Sequence, residues 1–299
     1  MRHITTDAQL DRLLPVDEAV RLLRHAFLAP GPTERLAAAA LHHGSTPAGR
    51  FLAAGLSGDG PLARIVFDDL TGAVTGLVVG AGLGDLRAAA TAVLGAEHLT
   101  AAHPHRLTVL GTGRRAFAQL RFLAARLRPT ELLAHGPDAD AFATRARQEL
   151  GLAVVRARDP EEAVRGARLV VAAADGPALD PAWLSPGTHV SLSPVPRSGA
   201  AWIPALLARA DRTVTDAPAL ARAHLRALGS AVEPEDLADL VAGRTPVGSR
   251  ADAVTVLLSC GLPGGDVALA EGTLRRAAGP VGHTAPRRAH RRTNYRRRA

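Results

Sequence analysis

A strand that ends in two glycines and leads directly into a helix is the feature that most constrains this chain. Residues Leu107–Ala116 read Leu-Thr-Val-Leu-Gly-Thr-Gly-Arg-Arg-Ala, and leucine and alanine then recur at helical spacing as far as Leu127. Gly111 and Gly113 allow a tight turn and a close approach to the backbone, while the first N–H groups of the helix can bind an anion. This arrangement is typical of a parallel strand followed by a diphosphate-binding turn.

The next predicted strand, the second of the sheet, bears on the choice of dinucleotide. His135 and Gly136 follow it, about two dozen residues after Gly111, where an acidic residue would bind the ribose 2′-hydroxyl of NAD. Because no acid stands there, the position leaves room for the 2′-phosphate of NADP, which Arg114, Arg115 or Arg145 would approach. The sequence predicts NADP or NAD as cofactor and favours NADP; a glycine turn without a ligand is the alternative. The predicted cofactor-binding residues are Gly111, Thr112, Gly113, Arg114, Arg115, Ala116, His135 and Ala174.

The chain after Arg106 alternates short apolar segments with helical ones. Such alternation predicts an α/β fold with a parallel sheet that helices cover on both faces. Before it, Thr6–Leu28 reads as helical, and residues 51–79 read as short strands separated by turns. After it, Asp216–Leu240 also reads as helical. The predicted strands of the parallel sheet are Leu107–Leu110, Glu131–Ala134, Ala153–Arg156, Leu169–Ala173, Thr188–Leu192 and Arg212–Thr215.

Length and composition are those of an ordinary globular protein. A chain of 299 residues with 47% hydrophobic content can bury the core of one large domain or of two smaller ones. No apolar run approaches the roughly 18 residues of a membrane helix, and the first ten residues lack the apolar segment of a signal peptide, so we expect a cytoplasmic protein. The single cysteine, Cys260, excludes an internal disulfide.

All basic side chains in this sequence are arginines, and the absence of lysine excludes several kinds of chemistry. A lysine Schiff base, a pyridoxal phosphate anchor and a lysine general base are all ruled out. The net charge of +8 also has a local origin, because seven arginines lie in Pro286–Ala299 and leave 8 − 7 = +1 for the rest. Residues 279–299 are predicted to be a solvated basic tail, with a nucleic acid or an acidic partner as the alternative.

Further segments stand in a fixed order around the glycine turn. They are Asp68-Asp-Leu-Thr-Gly72, Leu86-Arg-Ala-Ala-Ala90, Ala163–Ala173, Leu184-Ser-Pro-Gly-Thr-His189, Leu206–Asp211 and Gly261–Asp266. With Gly111–Ala116 among them, this set resembles the ornithine cyclodeaminase and mu-crystallin family of nicotinamide-dependent enzymes. The resemblance runs from about Leu10 to Ala278.

The resemblance implies a fold with two domains. A Rossmann domain with a doubly wound parallel sheet, residues 101–244, is inserted in a mixed α+β domain that binds substrate and forms a homodimer, residues 1–100 with 245–278. The resemblance also implies hydride transfer between a nicotinamide and the carbon–nitrogen bond of an amino acid or imine.

Four side chains are candidates for the substrate side of such a site. The resemblance implies that Arg87 pairs with the substrate carboxylate, for which a guanidinium fork is suited, and that Arg35 is a weaker second match. Asp266, at the start of the last helix, would lie near the nicotinamide, or would simply cap that helix. His189, at the start of the fifth strand, is the other candidate for proton transfer. The twelve histidines show no metal-ligand spacing, and no metal is predicted.

Departures from the family pattern bear on the reaction. Its catalytic lysine has no counterpart, Ala88 replaces a threonine after Arg87, and Pro196 and Trp202 stand where carboxylates are usual. Neither proline nor tryptophan transfers protons, so we expect no ornithine cyclodeamination. The prediction is an oxidoreductase acting on a carboxylate-bearing imine or amine of a specialised pathway, with Trp202 lining the substrate pocket. The alternative is a catalytically silent dimeric protein that binds a nucleotide or a partner.

Overall fold

The computed structural model describes residues 4–29, 33–36, 39–56, 63–100, 103–195, 200–247 and 250–278. These residues form two sheets, one of six strands and one of eight. The Arg-rich tail, predicted as residues 279–299, lies outside them, as does Pro196. Within the described residues, no helix combines the length and the apolar character that a membrane span requires.

The smaller sheet is built by the first part of the chain. Its strand order is β1-β6-β5-β4-β3-β2, with β1 parallel to β6 and the remaining neighbours antiparallel. The strands are β1 (Ile4–Thr6), β2 (Thr33–Leu36), β3 (Ala39–Thr46), β4 (Gly49–Leu56), β5 (Ala63–Asp68) and β6 (Val74–Val79). The helices of this part are α1 (Asp7–Leu13), α2 (Val16–Leu28) and α3 (Gly82–Leu99). The helical region predicted over Thr6–Leu28 is thus two helices, because Pro15 cannot donate the backbone hydrogen bond that a continuous helix needs.

Side-chain alternation in β5 decides which residues reach the interior. Val66 of β5 and Val78 of β6 are fully buried under the helices, whereas Ile65 points to the other face of the sheet and is 38% exposed. Successive side chains of a strand point to opposite faces. Arg64, which is paired with Val78 in the register of the two strands, therefore lies on the covered face.

The larger sheet is entirely parallel and has the order β13-β12-β14-β11-β10-β7-β8-β9. This confirms the predicted α/β fold with a Rossmann-like sheet. Its strands are β7 (Arg106–Leu110), β8 (Glu131–His135), β9 (Val155–Arg156), β10 (Leu169–Ala173), β11 (His189–Ser193), β12 (Arg212–Thr215), β13 (Glu235–Asp236) and β14 (Thr255–Leu258). The helices are α4 (Arg114–Leu127), α5 (Ala139–Leu150), α6 (Pro160–Val164), α7 (Trp202–Arg209), α8 (Pro218–Ala227), α9 (Leu237–Val241) and α10 (Pro263–Ala277), with a short 3₁₀ helix at Pro181–Trp183.

The last part of the chain joins the two sheets. Strand β14 pairs with β11 and β12 of the larger sheet, whereas α10 packs on the smaller sheet and on α2. The segment 245–278, predicted to belong to the first domain, is therefore shared between them. The helix predicted over Asp216–Leu240 is instead α8, β13 and α9, because α8 ends before Gly229, whose φ of +77° is a left-handed conformation that turns the chain.

Helix α3 lies between the two sheets and is buried on almost every side. It packs against α2 and α10 on one side, and against α4, β11 and β14 on the other. Its residues from Ala88 to Ala96 are all buried, which explains why small alanine and glycine side chains dominate there. The first two turns of α3, with Asp85 and Arg87, are thus held where the two parts of the protein meet.

Candidate functional site

The glycine turn lies at the carboxyl edge of the larger sheet. Strand β7 ends at Leu110, and Gly111 follows with φ of +110°, a conformation that side chains rarely tolerate. A β-carbon at Gly111 would also come within 2.9 Å of the β-carbon of Ala173, at the end of the neighbouring strand β10. Helix α4 then begins at Arg114 with Gly113 as its N-cap. The predicted strand, turn and helix are therefore present, and glycine is required in the turn.

The carboxylate of Asp175 occupies the donors of this turn. The backbone N–H groups of Thr112 and Gly113 donate to the same Asp175 oxygen, at 2.9 and 2.7 Å. Asp175 is exposed and follows the carboxyl end of β10. Two backbone donors that converge on one anionic oxygen are the arrangement by which such turns bind phosphate. The turn is thus built to hold an anion, and the chain supplies one itself.

A cleft of about 410 Å³ opens beside the turn. It crosses the carboxyl ends of β7, β10 and β11, and the start of α3 closes its other side. Between β7 and β10 the chain reverses its direction of strand addition, and ligands of open α/β sheets bind at such points. The lining residues are Ala81, Asp85, Gly113, Arg114, Arg115, Ala173, Ala174, Asp175 and Pro194.

The arginines considered for a 2′-phosphate have partners elsewhere. Arg114 lies 3.0 Å from Asp7, and Arg115 lies 3.2 Å from Asp85, so both connect α4 to the first part of the chain. Arg145 stacks over the ring of Phe117, 3.8 Å from its centroid, and pairs with Glu149. His135 does end β8, where its Nδ1 is 3.3 Å from the carbonyl oxygen of Ala157. Arg114 and Arg115 also line the cleft beside the turn, and the preference for NADP stays a prediction.

Arg87 and Asp266, predicted separately, are in direct contact. Nη1 of Arg87 lies 2.9 Å from Oδ2 of Asp266, which is the fourth residue of α10 and is only 3% exposed. Nη2 of Arg64, from β5, lies 2.5 Å from the same oxygen. Arg64 was not predicted as a site residue. Helix α3, helix α10 and strand β5 therefore contribute one charged side chain each to a single cluster.

The loop after β14 places this cluster at the edge of the larger sheet. A β-carbon at Gly261 would lie 3.2 Å from Nη2 of Arg87. Asp216, which follows β12, accepts hydrogen bonds from the backbone N–H groups of Cys260 and Gly261 and from the hydroxyl of Ser259. Burial raises the pKa of Asp216, while the charge of Arg87 and these donors oppose that shift. Arg87 thus lies beyond the carboxyl end of β14, the strand next to β11 in the sheet.

Some buried polar atoms at this edge have no partner among the described residues. They are Nε of Arg87, Oδ1 of Asp266 and the hydroxyl of Ser193, which precedes the cleft residue Pro194. Buried polar groups are normally hydrogen-bonded. These three atoms are therefore donors and acceptors that a ligand at this edge could use.

The structure corrects the prediction that His189 is a candidate for proton transfer. It is the first residue of β11 and therefore lies at the amino edge of the sheet, whereas the cleft lies at the carboxyl edge. The side chain is fully buried, with Nδ1 2.8 Å from the hydroxyl of Thr255, and burial lowers its pKa to about 3. It is a neutral core histidine.

The predicted place of Trp202 in the substrate pocket is also corrected. The predicted role of Arg35 in substrate binding stays a prediction. Trp202 begins α7 and packs, partly buried, against an apolar cluster that includes Val190 and Leu206, on the face of the larger sheet opposite α3. It therefore lies on the other face from Arg87. The backbone of Arg35 is in β2, but its side chain is not among the parts that the structure describes.

Metal and thiol chemistry find no support in the part of the chain that the structure describes. There, histidine, cysteine, aspartate and glutamate form no group of three or more that could hold a metal ion. Burial and the nearby Asp216 carboxylate raise the pKa of the Cys260 thiol to about 12, so this cysteine is not a nucleophile at neutral pH.

Comparison with known proteins agrees with this arrangement. Residues 62–278 match the family described as the ornithine cyclodeaminase/mu-crystallin family. An uncharacterized cyclodeaminase of Sinorhizobium fredii is 30% identical over 229 residues, which cover 71% of this chain and 69% of that protein.

Two solved structures show the same fold. One is the Δ1-pyrroline-2-carboxylate reductase of Thermococcus litoralis in complex with NADH and L-proline, with a TM-score of 0.74, 16% identity and coverage of 92% of this chain and 97% of the other. The second is an archaeal alanine dehydrogenase dimer with bound NAD, with a TM-score of 0.75, 20% identity and coverage of 92% and 95%.

Proposed function

The chain belongs to the ornithine cyclodeaminase/mu-crystallin family, and from that premise we propose that it is an NAD(P)-dependent oxidoreductase acting on a carboxylate-bearing imine or amine. One observation carries the proposal: the carboxyl edge of the larger sheet holds an anion-binding turn at β7 and the guanidinium of Arg87 beyond β14. These strands are three steps apart, or about 14 Å at the usual strand spacing. A ligand lying along this edge would meet the turn at one end and Arg87 at the other.

The turn is suited to a dinucleotide cofactor, provided that Asp175 moves. The N–H groups of Thr112 and Gly113 already hold an anionic oxygen, and a phosphate oxygen would take the same place. Asp175 is exposed, so its displaced carboxylate would return to water. His135 stands in place of an acidic residue and admits NADP as well as NAD. When bound, the nicotinamide would supply or accept the hydride of the reaction.

Arg87 is proposed to bind the carboxylate of the substrate. A planar guanidinium binds a carboxylate through two parallel hydrogen bonds. Asp266 would orient Arg87 through the 2.9 Å bond between them and is therefore a positioning residue. The relatives named for pyrroline-2-carboxylate and alanine support this chemistry, because both compounds carry nitrogen on the carbon next to a carboxylate.

Ornithine cyclodeamination itself is proposed to be absent. The chain has no lysine, and the resemblance places Pro196 and Trp202 where carboxylates are usual. An imine or amine of a specialised pathway is the expected substrate.

Turnover of NADPH and NADH with cyclic imines, and with 2-keto acids plus amines, tests the proposal. We expect at least one carboxylate-bearing compound to be reduced, and Arg87→Ala to abolish that turnover. If no compound is turned over and Arg87→Ala changes no measured property, the enzyme proposal fails. Ammonia and proline formed from ornithine and the oxidised cofactor would overturn the proposal that cyclodeamination is absent.

A catalytically silent nucleotide-binding or partner-binding protein is the second candidate. The occupied turn favours it, because Asp175 competes with any diphosphate for the donors of Thr112 and Gly113. Binding of NADPH without turnover of any carboxylate-bearing imine would support this candidate.

A homodimer through the smaller sheet is proposed as the assembled form. On the face of this sheet that the helices leave uncovered, Ile4, Leu77 and Ile65 lie in one row across three strands. Ile4 is 54% exposed, and exposed apolar surface of this kind marks protein interfaces. The related alanine dehydrogenase is described as a dimer.

The dimer proposal is tested by substitution at one end of this row. Ile65→Glu should convert the dimer to a monomer in light scattering. Leu70→Glu, at an exposed turn, is the matched control and should leave the mass unchanged. A wild-type protein that is monomeric at high concentration would refute the proposal.

A further inference from the structure

Arg64 and Arg87 bind the same carboxylate oxygen although they come from different elements. Nη2 of Arg64 is 2.5 Å and Nη1 of Arg87 is 2.9 Å from Oδ2 of Asp266. Asp266 is almost fully buried, while the two arginine side chains are each nearly one-fifth exposed, at 19% and 18%. The two guanidinium groups therefore lie side by side on one shared partner, and part of each arginine side chain is exposed.

The donors of this pair exceed the acceptors around it. A guanidinium carries five N–H donors, and the contacts described for Arg64 and Arg87 use one acceptor, Asp266. Among the described residues, Nε of Arg87 is buried and has no hydrogen-bond partner. The contacts described for Asp216 are with the loop after β14 and include neither guanidinium.

The charges in the cluster are also unequal. Two guanidinium groups face the single carboxylate that bonds to them, and burial raises the pKa of Asp216, a second acid that interacts with the charge of Arg87. Partly buried cations without matching anions are costly, because the low dielectric does not screen them. A second anion placed on the exposed edges of both groups would balance the charge and use the spare donors.

The fold fixes Arg64 in this position. Residues 64 and 66 of β5 face the helices, and Arg64 reaches α10 from that face. Side chains held by rigid elements can bind a ligand in a defined geometry. Both guanidinium groups meet this condition, because α3 and β5 are each packed into the core.

We propose that Arg64 is a second ligand of the substrate carboxylate and that it forms, with Arg87, a two-guanidinium site that Asp266 holds together. This inference rests on the proposed function and narrows its substrate class to imines or amines with a free, ionised carboxylate. A substrate whose carboxylate is blocked as an amide or as a peptide bond presents no negative charge and would be rejected. A purely structural role, with Arg64 serving only as a partner of Asp266, is the alternative outcome.

The test compares a planar carboxylate with its neutral amide. Binding of pyrrole-2-carboxylate and of pyrrole-2-carboxamide to the NADPH-loaded protein is measured by calorimetry, for wild type, Arg64→Gln, Arg64→Lys and Arg87→Gln. Arg64→Gln should weaken carboxylate binding at least about tenfold, the effect of losing one charge-assisted hydrogen bond. It should leave the Kd of NADPH and the weak binding of the carboxamide unchanged. Arg64→Lys, which keeps the charge but not the fork, should give an intermediate value.

A matched control and three outcomes decide the result. Arg50→Gln removes an arginine of the neighbouring strand that is 73% exposed and paired with Asp69, and it should change nothing. If Arg87→Gln loses carboxylate binding and Arg64→Gln does not, the inference fails while the proposed function stands. If Arg64→Gln weakens carboxylate and carboxamide equally, the role is structural and the inference fails. If wild type does not bind the carboxylate more tightly than the carboxamide, the inference and the proposed substrate class both fail.

Discussion

Asp175 and Asp266 are two carboxylates that bond to the donors a ligand would use, but their settings differ. Asp175 is exposed on the loop after β10 and accepts two bonds from neutral backbone N–H groups. Asp266 is buried on α10 and accepts from the guanidinium groups of Arg64 and Arg87. One carboxylate stands at the cofactor end of the sheet edge, and the other stands at the proposed substrate end.

The difference in burial determines which of these two carboxylates a ligand can displace. An exposed carboxylate that leaves two backbone donors regains its hydration, and the oxygen of the incoming ligand takes over the same donors, so its displacement costs less than that of a buried carboxylate. Removal of a buried carboxylate from two guanidinium groups leaves cations without a counter-charge, which typically costs about 3 kcal/mol or more. Asp175 is therefore a competitor of the ligand, whereas Asp266 is part of the framework that holds Arg64 and Arg87.

Asp266→Asn should have the largest effect on stability. The free energy of unfolding should fall by about 3 kcal/mol, because the substitution leaves two partly buried guanidinium groups without their shared charge. Urea unfolding followed by circular dichroism measures this loss. Asp252→Asn, in an exposed pair with Arg250, is the control and should leave the free energy of unfolding nearly unchanged, because solvent screens that pair. If Asp266→Asn and Asp252→Asn lost equal amounts of unfolding free energy, Asp266 would not be part of the framework that holds the two arginines.

Asp216 separates the effect of burial from the effect of a guanidinium partner. It is as buried as Asp266, but the contacts described for it include no guanidinium. Its pKa is raised in the folded protein, chiefly by burial. The folded state then holds its proton at pH values where the unfolded state has lost it. The stability contributed by Asp216 is therefore fully present below about pH 4 and is lost as the pH rises through the folded pKa, by at most about 1.4 kcal/mol per pH unit.

The measurement for Asp216 is the free energy of unfolding in urea at several pH values above about pH 4. Asp216→Asn cannot ionise and should remove this part of the pH dependence, whereas Asp239→Asn, an exposed residue paired with Arg244, should retain it. If the unfolding free energies of wild type and Asp216→Asn change with pH in parallel, the pKa of Asp216 is not raised. The hydrogen-bond donors around Asp216 and the charge of Arg87 would then offset the effect of its burial.

The sequence predicted the strands of the larger sheet well, but it predicted the strand order and the side-chain contacts less well. Buried parallel strands are continuous apolar segments, and Leu169–Ala173 and Arg212–Thr215 have the predicted bounds. The insertion of β14 between β11 and β12 depends on tertiary packing and leaves no local signal. The same holds for the bond between Arg87 and Asp266, whose residues lie far apart in the sequence.

The missed site residues did carry a weak signal. Asp175 directly follows a buried strand, and side chains at the carboxyl ends of parallel strands face the ligand crevice. Arg64 alternates with the buried Val66, which indicates the covered face of the strand. His189 was misplaced for the converse reason, because the first residue of a parallel strand lies at the edge away from the crevice.

Asp175→Asn should strengthen cofactor binding. The substitution removes the negative charge that competes for the N–H groups of Thr112 and Gly113, and that charge would otherwise repel an incoming diphosphate. The Kd of NADPH should fall about tenfold, which corresponds to about 1.4 kcal/mol. Nicotinamide fluorescence measures it. Asp180→Asn, in the same loop but bonded to Ala182, should leave the Kd unchanged. An unchanged or weaker affinity for Asp175→Asn would show that Asp175 does not compete with the cofactor.

The smallest expected effect concerns Arg115, which lies beside the turn but is bonded to Asp85 at 3.2 Å rather than to Asp175. Because Asp85 and Arg87 share the first turns of α3, this ion pair connects the cofactor end to the substrate end. Arg115→Gln should lower the unfolding free energy by only about 0.5 kcal/mol, as a partly exposed pair does. It should also leave the ratio of the NADPH and NADH dissociation constants within about twofold, because the guanidinium is held at α3 and not at His135. A larger loss of NADPH affinity than of NADH affinity would place Arg115 at the 2′-phosphate. The turn would then hold the cofactor through a side chain as well as through the two N–H groups that Asp175 occupies.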